Sequence, residues 1–231
     1  MTTVSTLAMN TGPRRVADPR LLAAWERARR DKMTFLRRFV YTCDQHDKDN
    51  PIKPFPADRP HIEQMVRLWE NNRLLAVVKS RQMIMTWLFV AIALHEVMTK
   101  RGRLVMLQSK REEDAIGDAV SGDGLLGRAK FILNQIPCHN KLGLRHTDRT
   151  NRIQFPATNS TLWAIPQGAT IIRQRTASGI LSDECGFQEE FADAYTAAMP
   201  CIRGGGWFVA LSTAHPGFHN MLIEDRVSET A

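Results

Sequence analysis

The sequence predicts an α/β domain: a mostly parallel central sheet flanked by helices. Three observations predict it. Short apolar runs at residues 74–78, 103–108, 179–182 and 207–212 alternate with longer helical stretches. Strands of a parallel sheet buried on both faces read as continuous apolar runs of this kind. The first run passes through a polar turn straight into a helical segment, and the third ends in two adjacent acids, Asp183 and Glu184.

Taken in order, residues 1–18 are polar and carry Pro13, Arg14 and Arg15, so they read as an arm. Pro19 suits the first position of a helix, and Leu21, Leu22 and Trp25 begin a pattern that continues to Phe39. Residues 44–60 carry Pro51, Pro54, Pro56 and Pro60, which are expected to exclude a regular element and leave a strap. A short amphipathic helix follows over 61–70. Beyond the first strand, residues 86–98 read as a buried helix and 123–136 as another. Residues 152–155 and 161–165 alternate about a turn and predict a hairpin. Residues 187–198 form the last expected helix. The division expected is an N-terminal arm, helix and Pro-rich linker over 1–53, then the α/β domain over 54–231.

Composition narrows the functional classes. Lys and Arg outnumber Asp and Glu by 31 to 24, a formal charge of +7, which favours a polyanionic partner such as nucleic acid. No apolar stretch approaches the roughly 20 residues of a membrane-spanning helix, and no secretory leader is recognisable. The scattered Cys43, Cys138, Cys185 and Cys201 fit reduced thiols better than a disulfide scaffold. Cys43 and His46 have ligand-like spacing but no second pair, so no zinc site is expected.

The segment Lys79-Ser80-Arg81-Gln82-Met83-Ile84-Met85-Thr86 lies between a strand and a helix. That is the position of a phosphate-binding loop, where backbone N–H groups at a helix N-terminus meet an anion. The standard pattern G-x-x-x-x-G-K-[ST] keeps only Thr86 here. Thr86 can still offer a hydroxyl to Mg²⁺, and Lys79 or Arg81 can offer the cation from the start of the loop. Asp183 at the end of a buried strand would orient the metal, and Glu184 would polarise the attacking water. Ser212 and Thr213 end the last buried strand, where hydroxyls can contact the γ-phosphate. A basic solvated turn and ordinary capped strand ends are the bland alternatives for these segments taken singly.

Together the residues resemble a known family. Ser80-Arg81-Gln82 followed by Thr86 is similar to the deviant Walker A motif of phage terminase large subunits, S-R-Q-x-G-x-[ST]. Asp183-Glu184 resembles their Walker B acid and catalytic glutamate, and Leu211-Ser212-Thr213-Ala214 their coupling motif. The resemblance spans roughly residues 54–223. It implies an ATP- and Mg²⁺-dependent P-loop motor that drives double-stranded DNA into a procapsid from the host cytoplasm. Its implied partners are a portal protein, a small terminase subunit and further copies of itself in a ring.

Within the resemblance, Arg173, upstream of Asp183, stands where terminases carry a trans-activating arginine, with Arg175 as the fallback. His61 or Gln64 occupies the place of an adenine-contacting segment. Ile84 departs from the pattern, which has glycine there. A β-branched residue resists positive φ, so a different backbone is expected at Ile84. After the coupling motif, residues 215–231 are too few for the RNase H-like nuclease domain that terminases usually carry. Two other readings stay open: a degenerate phosphate-loop module that binds DNA or scaffolds without hydrolysis, and a helicase-like ATPase.

Overall fold

The computed structural model describes residues 18–80, 83–137 and 141–224. Its N-terminal part is two helices rather than one. Helix α1 (Pro19–Ala28) is capped by Asp18, whose carboxylate accepts from Arg20 N at 2.9 Å. Helix α2 (Lys32–Phe39) starts afresh at Asp31, which accepts from the N–H groups of Met33 and Thr34 at 3.1 and 2.9 Å. The continuous helix expected over 19–39 is therefore corrected, because an aspartate that caps a new first turn competes successfully with continuation. The two helices close on each other through Trp25 and Phe39, rings 5.3 Å apart, and share one apolar core with the rest of the chain.

The proline-rich stretch is also more regular than expected. Strand β1 (Tyr41–Cys43) pairs antiparallel with β2 (Ile52–Pro54), Tyr41 opposite Pro54. Proline is tolerated at the end of a two-stranded ribbon, where its missing N–H breaks no inner ladder. Helix α3 (Pro60–Asn71) buries Ile62, Val66 and Trp69 along one stripe.

The main sheet has seven strands in the order β3-β9-β8-β4-β7-β6-β5. They are β3 (Leu74–Val78), β4 (Leu104–Gln108), β5 (Thr147–Arg149), β6 (Arg152–Phe155), β7 (Ser160–Ile165), β8 (Gly179–Asp183) and β9 (Trp207–Ser212). The strands from β3 to β7 in that order run parallel, and β6 and β5 add an antiparallel edge. The expected hairpin is thus present as β6–β7, with β5 as an addition the sequence reading lacked.

Side chains alternate across the central strands. Val105, Leu107, Leu181, Val209 and Leu211 face α4 (Met85–Thr99) and α6 (Leu125–Gln135), while Met106, Ile180, Phe208 and Ala210 face α8 (Phe191–Arg203). Helix α4 is apolar all round and almost wholly buried, as the sequence suggested. Three short helices complete the fold: α5 (Glu112–Ile116), α7 (Thr170–Arg173) and α9 (Phe218–Ile223). The helix expected from residue 187 begins only at Phe191, after a 3₁₀ turn at Cys185–Phe187. Gln188 is held extended between them, its Nε2 donating to Asp183 O at 2.9 Å.

Candidate active site

Strand β9 lies between β3 and β8, so the three strand ends with chemistry are neighbours. Val78 pairs with Ser212, Asp183 pairs with Leu211, and Lys79 N donates to Ser212 O at 2.9 Å. This is the carboxyl end of the parallel strands, the usual place for a site in an open α/β sheet.

The side chains converge. Lys79 Nζ lies 2.7 Å from Glu184 Oε1, 3.7 Å from Asp183 Oδ1 and 3.4 Å from Thr86 Oγ1. Thr86 Oγ1 in turn lies 3.2 and 3.3 Å from the two oxygens of Asp183. On the far side, Glu184 Oε2 accepts from Ser212 Oγ at 3.5 Å and from Thr213 N and Oγ1 at 3.4 Å. The two acids respond oppositely. Burial pushes the Asp183 carboxyl up, with Lys79 opposing and Glu184 adding to the rise. Burial also acts upward on Glu184, but the Lys79 hydrogen bond and charge, together with Thr213, outweigh it and hold that carboxyl low.

The loop before α4 supplies the floor. Ile84 has φ 59° and ψ 13°, the left-handed conformation expected of a glycine there. The expectation of a different backbone at Ile84 is thus corrected. The turn geometry into α4 prevails over the β-branched side chain, at a cost of roughly 1–2 kcal/mol. Among the described residues no side chain caps α4 at Ile84, and a helix start of this kind can turn its first N–H groups to an anion. Met85 is buried against the core, so its side chain offers nothing to an anion. Arg81 and Gln82 lie outside the described residues.

These groups open into a cleft of about 740 Å³. Ser80, Met83, Ile84, Met85 and Thr86 line it, as do Thr42 and Lys53 of the β1–β2 hairpin, and Pro54, Pro56 and Arg59. His61 and Gln64 are not among the lining residues, and Gln64 is exposed; the strap before α3 forms that wall instead. Arg173 and Arg175 are exposed and away from this cleft.

Two polar residues, one behind the site and one on its wall, escaped the sequence reading. Gln108 ends β4 fully buried; its Nε2 donates to Pro166 O and Gly168 O, and its Oε1 accepts from Ser182 Oγ at 3.2 Å. It had the same signal as Asp183, a polar residue closing an apolar strand. Arg128 in α6 lines the cleft and is flanked by Leu126, Gly127 and Ala129, an unusual setting for a cation.

Solved structures share this architecture. The large terminase of bacteriophage HK97 superposes with a TM-score of 0.63 over 87% of this chain and 42% of that one, at 16% identity. The large terminase ATPase domain of Thermus phage P74-26 gives 0.51 over 69% of this chain and 66% of that one, at 15% identity. A point mutant of the same domain gives 0.52 at 13% identity. The chain has the fold of phage large-terminase ATPase domains, and it spans 42% of the length of the HK97 protein. No family model matches the sequence, and no curated protein matches it. Among the described residues no helix is long and apolar enough to cross a membrane.

Proposed function

We propose that the chain is the ATP-hydrolysing motor domain of a viral large terminase, coupling hydrolysis to translocation of double-stranded DNA into a procapsid. The observation that carries the reading is the convergence of Lys79, Thr86, Asp183, Glu184 and Ser212 at adjoining strand ends on a terminase-like fold.

The triphosphate would lie over the N-terminus of α4, with Lys79 and Arg81 as its cations. Mg²⁺ fits Thr86 and Asp183: both donors are hard oxygens, and a cation there would offset the burial of the Asp183 carboxylate. When bound, the metal neutralises charge developing on the phosphate oxygens. Lys79 would exchange Glu184 for phosphate, freeing the carboxylate. Glu184, oriented by Ser212 and Thr213, would then take the proton of the water that attacks the γ-phosphorus as ADP departs. Arg173, exposed and outside the cleft, suits action on a neighbouring copy's nucleotide in a ring. A net charge of +7 suits contacts to DNA phosphates that read no sequence. The remaining partners proposed are the portal and the small terminase subunit, at a procapsid in the host cytoplasm.

The second reading, a nucleotide-binding module without hydrolysis, is favoured by one observation: Lys79 is already engaged by both acids. A single-turnover ATPase assay with and without DNA, across a concentration series, separates the two. Hydrolysis that rises with chain concentration and is flattened by Arg173→Ala supports the motor. Nucleotide binding with no turnover under any condition sinks it.

A further inference from the structure

Arg128 lies in the first turn of α6 and on the wall of the same cleft. Its guanidinium packs over the Trp87 ring, 5.5 Å from the centroid, and Nη1 donates to Gly124 O at 3.1 Å. Its Nε is buried with no partner, and among the described residues it forms no ion pair. Burial lowers its pKa, opposed by the charges of Asp183 and Asp123, which therefore lie within its field. An arginine stays charged in proteins, so this is a cation removed from water with donors to spare.

Its position is built from contacts only glycine permits. A Cβ on Gly127 would stand 2.5 Å from Asp118 O, and one on Gly124 would stand 2.4 Å from Gly117 Cα. The loop 117–124 is closed by reciprocal backbone hydrogen bonds between Asp118 and Asp123, 3.1 Å each. Ser121, Gly122 and Asp123 from that loop line the cleft beside Arg128. The fold thus holds a partly unsatisfied guanidinium rigidly at the cleft wall. The other described cations there are committed or peripheral: Lys79 is shared between Asp183 and Glu184, Lys53 is paired with Asp47 at 2.5 Å, and Arg59 is exposed.

We propose that Arg128 is a phosphate ligand in cis, placing its planar fork on the terminal phosphates of the nucleoside triphosphate. Trp87, on which Arg128 packs, directly follows Thr86, and Thr86 Oγ1 lies 3.2 Å from Asp183, which assigns Arg128 to that end of the nucleotide rather than to the base. The inference rests on the nucleotide reading of the cleft.

The test is titration calorimetry with MgATP and MgADP on the parent, Arg128→Met and Arg128→Lys, with thermal melts as a check on folding. Methionine keeps an apolar stem against Trp87 and removes the charge. Loss of a charge-assisted contact predicts MgATP binding weaker by about 10- to 100-fold in Arg128→Met, with MgADP affected several-fold less. Arg128→Lys should recover part of the loss. If Arg128→Met does not fold, Arg128→Lys decides, since losing the fork must still weaken MgATP more than MgADP. Equal losses for both nucleotides, or MgATP affinity within twofold of the parent, would show that Arg128 is structural. A parent that binds no nucleotide overturns the site itself, and that result is distinct from a parent that binds while the variants bind equally well.

Discussion

The ammonium of Lys79 stands 2.7 Å from one oxygen of Glu184, while Thr213 addresses the other oxygen at 3.4 Å. Glu184 is thereby held between the residue that follows β3 and the end of β9. Glu184→Gln keeps the shape and most of these hydrogen bonds but cannot take a proton. It is expected to bind Mg-ATP nearly as the parent does and to lose turnover. A variant that hydrolyses ATP within a few-fold of the parent would remove Glu184 from the role of base.

On the proposed function, Lys79 and Arg81 would divide the work of the missing loop lysine. Lys79 reaches Thr86, Asp183 and Glu184, the groups to which the proposed function gives the chemistry. Lys79→Ala is expected chiefly to lower kcat, and Arg81→Ala chiefly to raise KM. Steady-state kinetics on the two variants check this. Unchanged ATP binding in the double variant would disqualify the loop as a phosphate site.

Ile84 offers a test of strain. Its side chain is partly buried against the core, yet its backbone is left-handed. Ile84→Ala loses packing and keeps most of the strain, whereas Ile84→Gly loses the same packing and relieves it. Ile84→Gly is expected to be the more stable by about 1 kcal/mol, measured by urea denaturation. The reverse order would mean that the φ of Ile84 carries no strain.

His95 makes the chain sensitive to mild acid. Its Nε2 lies 2.8 Å from Ala28 O, a carbonyl that can only accept, so the neutral ring donates there and ties α4 to α1. Burial depresses its pKa from 6.5 to about 4, with the Ala28 contact opposing. The unfolded chain therefore takes up a proton near pH 6.5 and the folded chain only near 4. This contribution to stability is complete above pH 6.5, falls as the pH drops through that window, and changes little below it. The loss is on the order of 3 kcal/mol. His95→Gln keeps an N–H donor without titrating and should flatten the slope of unfolding free energy against pH between those values. An unchanged slope would assign it to other groups.

Much of the fold was legible because it is written locally. Apolar runs marked the central strands, and the all-round apolar segment marked α4. Asp183, Glu184, Ser212 and Lys79 were legible for a related reason: polar residues closing buried strands stand out against their neighbours. What escaped was set by competition or by distance. Asp31 restarts a helix whose apolar pattern runs on unbroken. Pro51 and Pro54 read as breakers, although a two-stranded ribbon accommodates them at its ends. The turn into α4 imposes on Ile84 a backbone that its own side chain opposes. Gln108 and Arg128 gain meaning only from Ser182 and Asp183, partners far along the chain that no local window contains.

The placing of β9 has a mechanical consequence. Its hydrogen bonds run to β3 on one side and β8 on the other, and Lys79 N is fastened to Ser212 O. The strand ends that bear Lys79, Asp183 and Ser212 therefore form an anvil whose parts cannot slide past one another without breaking a ladder. If the chain is the motor proposed above, a stroke would fall to what surrounds that anvil, such as the β1–β2 hairpin and the glycine-clasped loop ahead of α6. In such a layout the geometry of the candidate site would stay constant through a cycle while the rim does the moving.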